Sequence, residues 1–260
     1  MSDYLMRTRS LEELDELIEK DRRSALIVAE TTFNQEVAIA AAKIREINQI
    51  ATARIQADSQ IASAKIASDA EITVAELLAN TEQAIRRIRR NTVKSAQNTE
   101  ITASMVVQIG ETAKTEIINS SENAVEAIKL QAELAIQQIT DNSQRAIKEI
   151  QEHSEHVVAH VNESAQIAAN KIAQAKLQPR TPEETAQQGQ EAAQFIMDAA
   201  ANASETLATP VTHAVEAIHT QTEEALDVLR KVVLSVEQRI LDTRDRALMH
   251  LDQIVSIKLE

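Results

Sequence analysis

The sequence predicts an all-α protein whose very long helices form an extended coiled coil or helical hairpin on an 11-residue repeat. Three observations predict it. Turn-forming residues are nearly absent, with 2 Gly and 3 Pro in 260 residues, so the chain has few natural places to reverse. Aromatic bulk is missing as well: there is no Trp, one Tyr (Tyr4) and two Phe (Phe33, Phe195), where a compact core normally relies on such rings. Finally, isoleucines return at a fixed step through most of the chain, the mark of a repeat architecture.

Composition narrows the function classes. A hydrophobic content of 43% argues against disorder from apolar poverty. The absence of Cys removes disulfides, thiol catalysis and Cys-ligated metals, and suits the reducing cytoplasm we expect as the location. Met1 to Ser10 is charged and lacks the apolar stretch of a signal peptide. The longest apolar run, Val37 to Ala42, falls far short of the ~20 residues that cross a bilayer. Net charge is −13, with −2 up to residue 104 and −11 beyond it. That balance disfavours nucleic acid as a partner, most of all for the second half.

The start and stop signals set the expected organisation. Residues 1–9 form an N-terminal tail. Ser10-Leu11-Glu12-Glu13 reads as a capping box in which Glu13 reaches back to Ser10. Beyond it nothing stops a helix before Gln178-Pro179-Arg180-Thr181-Pro182, so one helix of up to ~165 residues and ~250 Å is allowed. Its weak stretch is Asn91 to Ser104, rich in Thr, Asn and Ser. Thr181 followed by Pro182, Glu183 and Glu184 restarts a helix, with Thr as cap and acids on the positive helix end. Thr209-Pro210 repeats that signature, so a kink or split is expected at 209–210.

The repeat itself divides into blocks. In the first, Val28, Ile39, Ile50, Ile61 and Ile72 form one series, and Phe33, Ile44, Ile55, Ile66, Leu77 and Ile88 a second. In the next, Val106, Ile117, Ile128, Ile139, Ile150, Val161 and Ile172 run beside Val125, Ile136, Ile147 and Val158. In the last, Ile196, Leu207, Ile218, Leu229, Ile240 and Leu251 keep the same step. Eleven residues in three turns give about 98° per residue, which keeps such stripes nearly straight. The middle block therefore has one seam, edged by small residues. The two series of the first block lie about 130° apart, with Arg54, Asp58, Lys65 and Asp69 between them. They form either one wide seam with a charged ridge or two seams meeting different neighbours.

A turn near residue 180 makes antiparallel partners add to about 360, so the last helix reaches back to about residue 102. The expected protomer is thus a hendecad helix over 105–177, a turn at 178–182, and a C-terminal helix over 183–260 packed back on it. Ile117, Ile128, Ile139, Ile150, Ile218, Leu229, Ile240 and Leu251 line that hairpin seam. Residues 10–104 are expected to project as an arm with no partner in their own chain. Ile39, Ile44, Ile50, Ile55, Ile61, Ile66, Ile72 and Leu77 would then be an oligomer seam for further copies of the protein.

Few residues suggest chemistry. His153, His156 and His160 share a helical strip near Glu152, Glu155 and Glu163, which resembles a surface metal site but reads better as a solvated polar face. No Gly-rich phosphate loop, zinc-protease helix or nucleophile elbow is present, so no enzyme, cofactor or metal is expected. Arg86, Arg87, Arg89 and Arg90, followed by Lys94, offer an anion contact to a phospholipid surface or to an acidic protein surface. Amphipathic helices with Pro punctuation (Pro179, Pro210) also occur on lipid surfaces, yet the apolar face here is Ile and Ala rather than Trp, Phe or Leu.

Over residues 28–255 the Ile/Ala seam resembles bacterial hendecad coiled-coil proteins, a structural grouping without a defined activity. The resemblance implies a rod, spacer, scaffold or filament component. The double stripe of residues 28–88 departs from the single seam usual in that grouping. The expected function is a structural protein that self-associates into a bundle, rod or filament. A lipid-coating helix and a spacer or adaptor for another protein are the alternatives.

Overall fold

The computed structural model describes residue 13 and residues 22–97, 103–174 and 182–257. They form three helices: α1 (Arg22–Gln97), α2 (Ala103–Gln174) and α3 (Pro182–Ile257). The chain is a three-helix bundle. The expected cap at Ser10 and the turn at 178–181 lie outside the described residues. The long helix allowed by the sequence ends at Gln97, inside the Asn91–Ser104 stretch, and the chain runs in the opposite direction from Ala103. Pro210 lies inside α3, which is helical on both sides of it. It does not split the helix, although its ring removes one backbone donor.

Many of the helices' threonines bond back to the turn before them. Thr31, Thr52, Thr73, Thr92 and Thr140 each donate to the carbonyl four residues earlier. Thr81 is buried and donates to the Leu77 carbonyl at 2.6 Å. This satisfies a hydroxyl without a tertiary partner, which lets a Thr-rich sequence remain helical.

The helices divide into two compact units, 1–53 with 143–220, and 54–142 with 221–260. In the first unit α1 and α2 are antiparallel. Arg22 Nη2 donates to the Ile172 carbonyl at 3.4 Å, and His160 Nδ1 lies 3.1 Å from Glu36 Oε2. On α3, Gly189 sits so close to α2 that a Cβ would stand 3.2 Å from the Ala173 carbonyl oxygen. Phe33, Ile44, Ile150, Val161, Ile172, Ile196, Leu207 and Ile218 are fully or almost fully buried.

In the second unit Asn142 Nδ2 donates to Asp58 Oδ2 at 2.9 Å, between α2 and α1. The buried Ser59 Oγ donates to the Ala225 carbonyl of α3 at 3.2 Å. Arg239 stands 3.8 Å from Glu71. These last two pairs rise together in number, so α1 and α3 are parallel. Between α2 and α3, Lys129 meets Glu237 at 2.7 Å, and Lys114 pairs with Asp252. Both of these pairs add to 366, so α2 and α3 are antiparallel. The bond to Asp252, then that to Glu111, raises the Lys114 ammonium above its ordinary value.

The core repeats the sequence step. Ile55, Ile66, Leu77 and Ile88 of α1 are fully buried, with Ile117, Ile139, Leu229, Ile240 and Leu251 of the other helices. Small buried residues, among them Ala70, Ser121, Ala132, Ser143 and Ala225, lie between them and let the backbones approach closely. Burying each Ile or Leu is worth about 1.5–3 kcal/mol.

One expectation is overturned. The described part of residues 10–104 is not an unpartnered arm, because α1 lies against both α2 and α3 of its own chain. The apolar stripe of α2 explains why a second helix alone does not close the core. Val125, Ile136, Ile147 and Val158 lie about 65° to one side of the main series, and they remain half-buried even in the bundle.

Candidate functional site: the uncovered face of α1

The two isoleucine series of α1 separate. Ile44, Ile55, Ile66 and Leu77 are fully buried inside the chain, so they cannot serve as a seam for further copies, and that half of the expected oligomer seam is corrected. Ile39, Ile50, Ile61 and Ile72 are 64%, 60%, 67% and 55% exposed. Each unit carries two of these four. The residues expected to line the hairpin seam, Ile117, Ile128, Ile139, Ile150, Ile218, Leu229, Ile240 and Leu251, are all buried. They face a core shared by three helices rather than two.

The exposed ladder is flanked by an apolar column on one side and a charged column on the other. Three residues after each Ile stands an exposed alanine: Ala42, Ala53, Ala64 and Ala75. The offset turns this column about 65° from the isoleucines, so the two columns form one continuous stripe. Four residues after each Ile stands Lys43, Arg54, Lys65 or Glu76, all exposed. Lys43 donates to Glu46 at 2.8 Å, and this bond raises its ammonium above the ordinary value. The other exposed large apolar residues, such as Leu78, Val93, Phe195, Leu234 and Met249, form no such ladder. Scattered apolar residues are a normal part of a surface, whereas a contiguous patch marks an interaction site.

The remaining candidate residues disperse. His160 faces Glu36, and His156 is exposed. His153 points its Nε2 into a buried position with no hydrogen-bond partner. Burial first, then the nearby charges of His156 and Lys43, push its ring below the ordinary histidine value. Among the described residues no group of three or more His, Asp or Glu converges as metal ligands would. Arg86, Arg87, Arg89 and Arg90 are exposed on either side of the buried Ile85 and Ile88. Arg86 is held by Glu82 at 3.0 Å. Arg87 lines an open polar cleft of about 450 Å³ with Asn80, Gln83, Gln108 and Glu116.

Sequence reasoning missed two features here. The alanine column was visible as an 11-residue series of its own, three residues behind the isoleucines. The Asn142–Asp58 and His160–Glu36 contacts carry no sequence signal, because they depend on where α2 crosses α1.

The fold defines the class: a long-helix three-helix bundle. Comparison with solved structures agrees. A computationally designed three-helix bundle superposes with a TM-score of 0.57, at 11% identity, over 91% of this chain and 99% of that one. Such a likeness defines the fold alone. No protein family matches the chain, and no curated protein does. Among the described residues no helix is long and apolar enough to cross a membrane.

Proposed function

We propose that this protein is a structural helical component, working in the cytoplasm, that self-associates through the uncovered face of α1. The single observation carrying this reading is the exposed ladder Ile39, Ile50, Ile61 and Ile72 on a helix whose other ladder is fully covered. Each of the four keeps more than half of its surface in water and so forgoes more than half of the about 1.5–3 kcal/mol that full burial supplies, a cost that a partner surface would remove. Light scattering across micromolar concentrations tests the reading. The wild-type protein should have the mass of an oligomer, and a helical monomer at every concentration would remove the proposal.

A second reading has one observation in its favour. Arg86, Arg87, Arg89 and Arg90 are exposed close to Val93, which is also exposed, a pairing suited to an anionic lipid surface. Flotation with anionic vesicles should then depend on the arginines. Flotation unchanged after replacing all four by Ser would exclude them from any such contact.

A further inference from the structure

The exposed stripe of α1 is nearly its own complement when reversed. Its two columns alternate along the helix as Ile39, Ala42, Ile50, Ala53, Ile61, Ala64, Ile72 and Ala75. Reading that order backwards exchanges each isoleucine for an alanine. If facing residue numbers add to 114, Ile39 meets Ala75, Ala42 meets Ile72, Ile50 meets Ala64 and Ala53 meets Ile61 of a second copy. The midpoint is Ala57, which is itself exposed and lies midway between the two columns, about 33° from each. We infer that two copies of this chain dock antiparallel through the uncovered face of α1, on a two-fold axis passing through Ala57. This deepens the self-association reading and rests on it.

Packing favours this direction. In the antiparallel pair every layer holds one Ile and one Ala, so the layers are equal in volume and the backbones can keep one close spacing. A parallel in-register pair would alternate Ile–Ile layers with Ala–Ala layers, leaving either gaps or overlaps. Shifting the antiparallel register by one repeat loses two of the eight layers, so the register centred on Ala57 is favoured over its neighbours.

Charge points the same way. A two-fold axis perpendicular to the helices brings the charged flank of one copy against the same flank of the other. Lys43 then lies near Asp69 of the copy, and Arg54 near Asp58. Asp58 and Asp69 are half-buried on this flank. A parallel pair would instead set Lys43, Arg54 and Lys65 against the copy's alanine side. The stripe from residue 39 to 75 runs ~54 Å along a helix ~11 Å wide, so it can bury ~600 Å² per copy. That total reaches the lower edge of specific interfaces, about 1,200 Å².

The absence of native Cys makes the test clean. The full chain is prepared as Ala57→Cys, Ala42→Cys, Ala75→Cys and, as a control on the exposed surface of α3, Ala201→Cys, each checked for wild-type helicity when reduced. On oxidation Ala57→Cys should form a disulfide-linked dimer at least about five times more than the other three, because only the axis brings equivalent residues within bonding distance. A mixture of Ala42→Cys with Ile72→Cys should give the crosslinked heterodimer that neither gives alone. Equal crosslinking at 42, 57 and 75 would mean a parallel pair and overturn the proposal, as would Ala57→Cys no better than Ala201→Cys. The mass of the wild-type protein separates the two levels. An oligomer that fails to crosslink at 57 removes this arrangement alone, while a monomer removes the self-association reading with it.

Discussion

Helix α1 carries two ladders with the same 11-residue step, and they end in opposite environments. Ile44, Ile55, Ile66 and Leu77 are sealed into the core of their own chain, whereas Ile39, Ile50, Ile61 and Ile72 face outward. The difference lies in the residue four positions on, which shares the face of each ladder residue. Behind the buried ladder stand Asn48, Ser59, Ala70 and Thr81, all small and uncharged. Behind the exposed ladder stand Lys43, Arg54, Lys65 and Glu76. Asp58 and Asp69, three residues after Ile55 and Ile66, stand half-buried on the ridge between the ladders, where Asp58 accepts a hydrogen bond from Asn142. The uncharged row four residues on accompanies the buried ladder alone, and that is the ladder the intrachain core takes. Hydrophobic spacing gives the helix its stripes, and the polar neighbours choose which stripe is covered from within.

The largest test of this contrast compares the same deletion on both ladders. Ile55→Ala should lower stability by about 2–5 kcal/mol, since it opens a cavity in a closed core. Ile50→Ala, measured by urea unfolding at a concentration where the protein is dissociated, should change stability by less than about 0.5 kcal/mol. Equal losses at the two positions would contradict the assignment of one ladder to the core.

Smaller effects probe how tightly the covered side is packed. A Cβ placed on Gly110 of α2 would stand 2.8 Å from Val255 Cγ2 of α3. Gly110→Ala should therefore destabilise by about 1 kcal/mol, the overpacking outweighing the gain in helix propensity. Adding Val255→Ala should recover that loss, and thermal melts of the single and double variants would show it. Asn142→Ala removes the bond to Asp58 and should cost about 0.5–1.5 kcal/mol. That contact lies on the ridge between the two ladders, so its loss tests whether α2 holds α1 in its observed rotation.

The smallest effect is acid sensitivity. His153 is held below its ordinary value of 6.5, chiefly by burial, so the unfolded chain takes up this proton first as pH falls. The stability contributed by the neutral ring is complete above the unfolded value and is lost as pH drops through it toward the folded one. His153→Gln should flatten the decline in melting temperature between neutral and mildly acid pH. An unchanged slope in that variant would place the decline elsewhere.

Much of this fold is legible in the sequence. The 11-residue step, the scarcity of Gly and Pro and the lack of aromatic residues together define long helices with narrow stripes. The Thr- and Asn-rich stretch after residue 91 is legible as a weak point in a helix. That the chain reverses there is not, because no Gly or Pro stands between Asn91 and Ile109. Without that reversal α1 looks like a free arm, and both of its ladders look available to other copies. The candidate site was accordingly half legible. Ile39, Ile50, Ile61 and Ile72 stood out by spacing, but so did Ile44, Ile55 and Ile66. Telling them apart needed the charges at Lys43, Arg54 and Lys65, which spacing alone does not weigh. Contacts such as His160 with Glu36 arise from the crossing of α1 by α2 and leave no periodic trace.

Under the proposed self-association, the outward ladder is covered by another copy of the chain. Light scattering of the wild-type protein beside the double variant Ile50→Asp/Ile61→Asp tests it most directly. The wild type should be an oligomer and the variant a fully helical monomer, since the substituted residues lie outside the core. A wild-type monomer throughout the micromolar range, or a variant that keeps the wild-type mass, would contradict it.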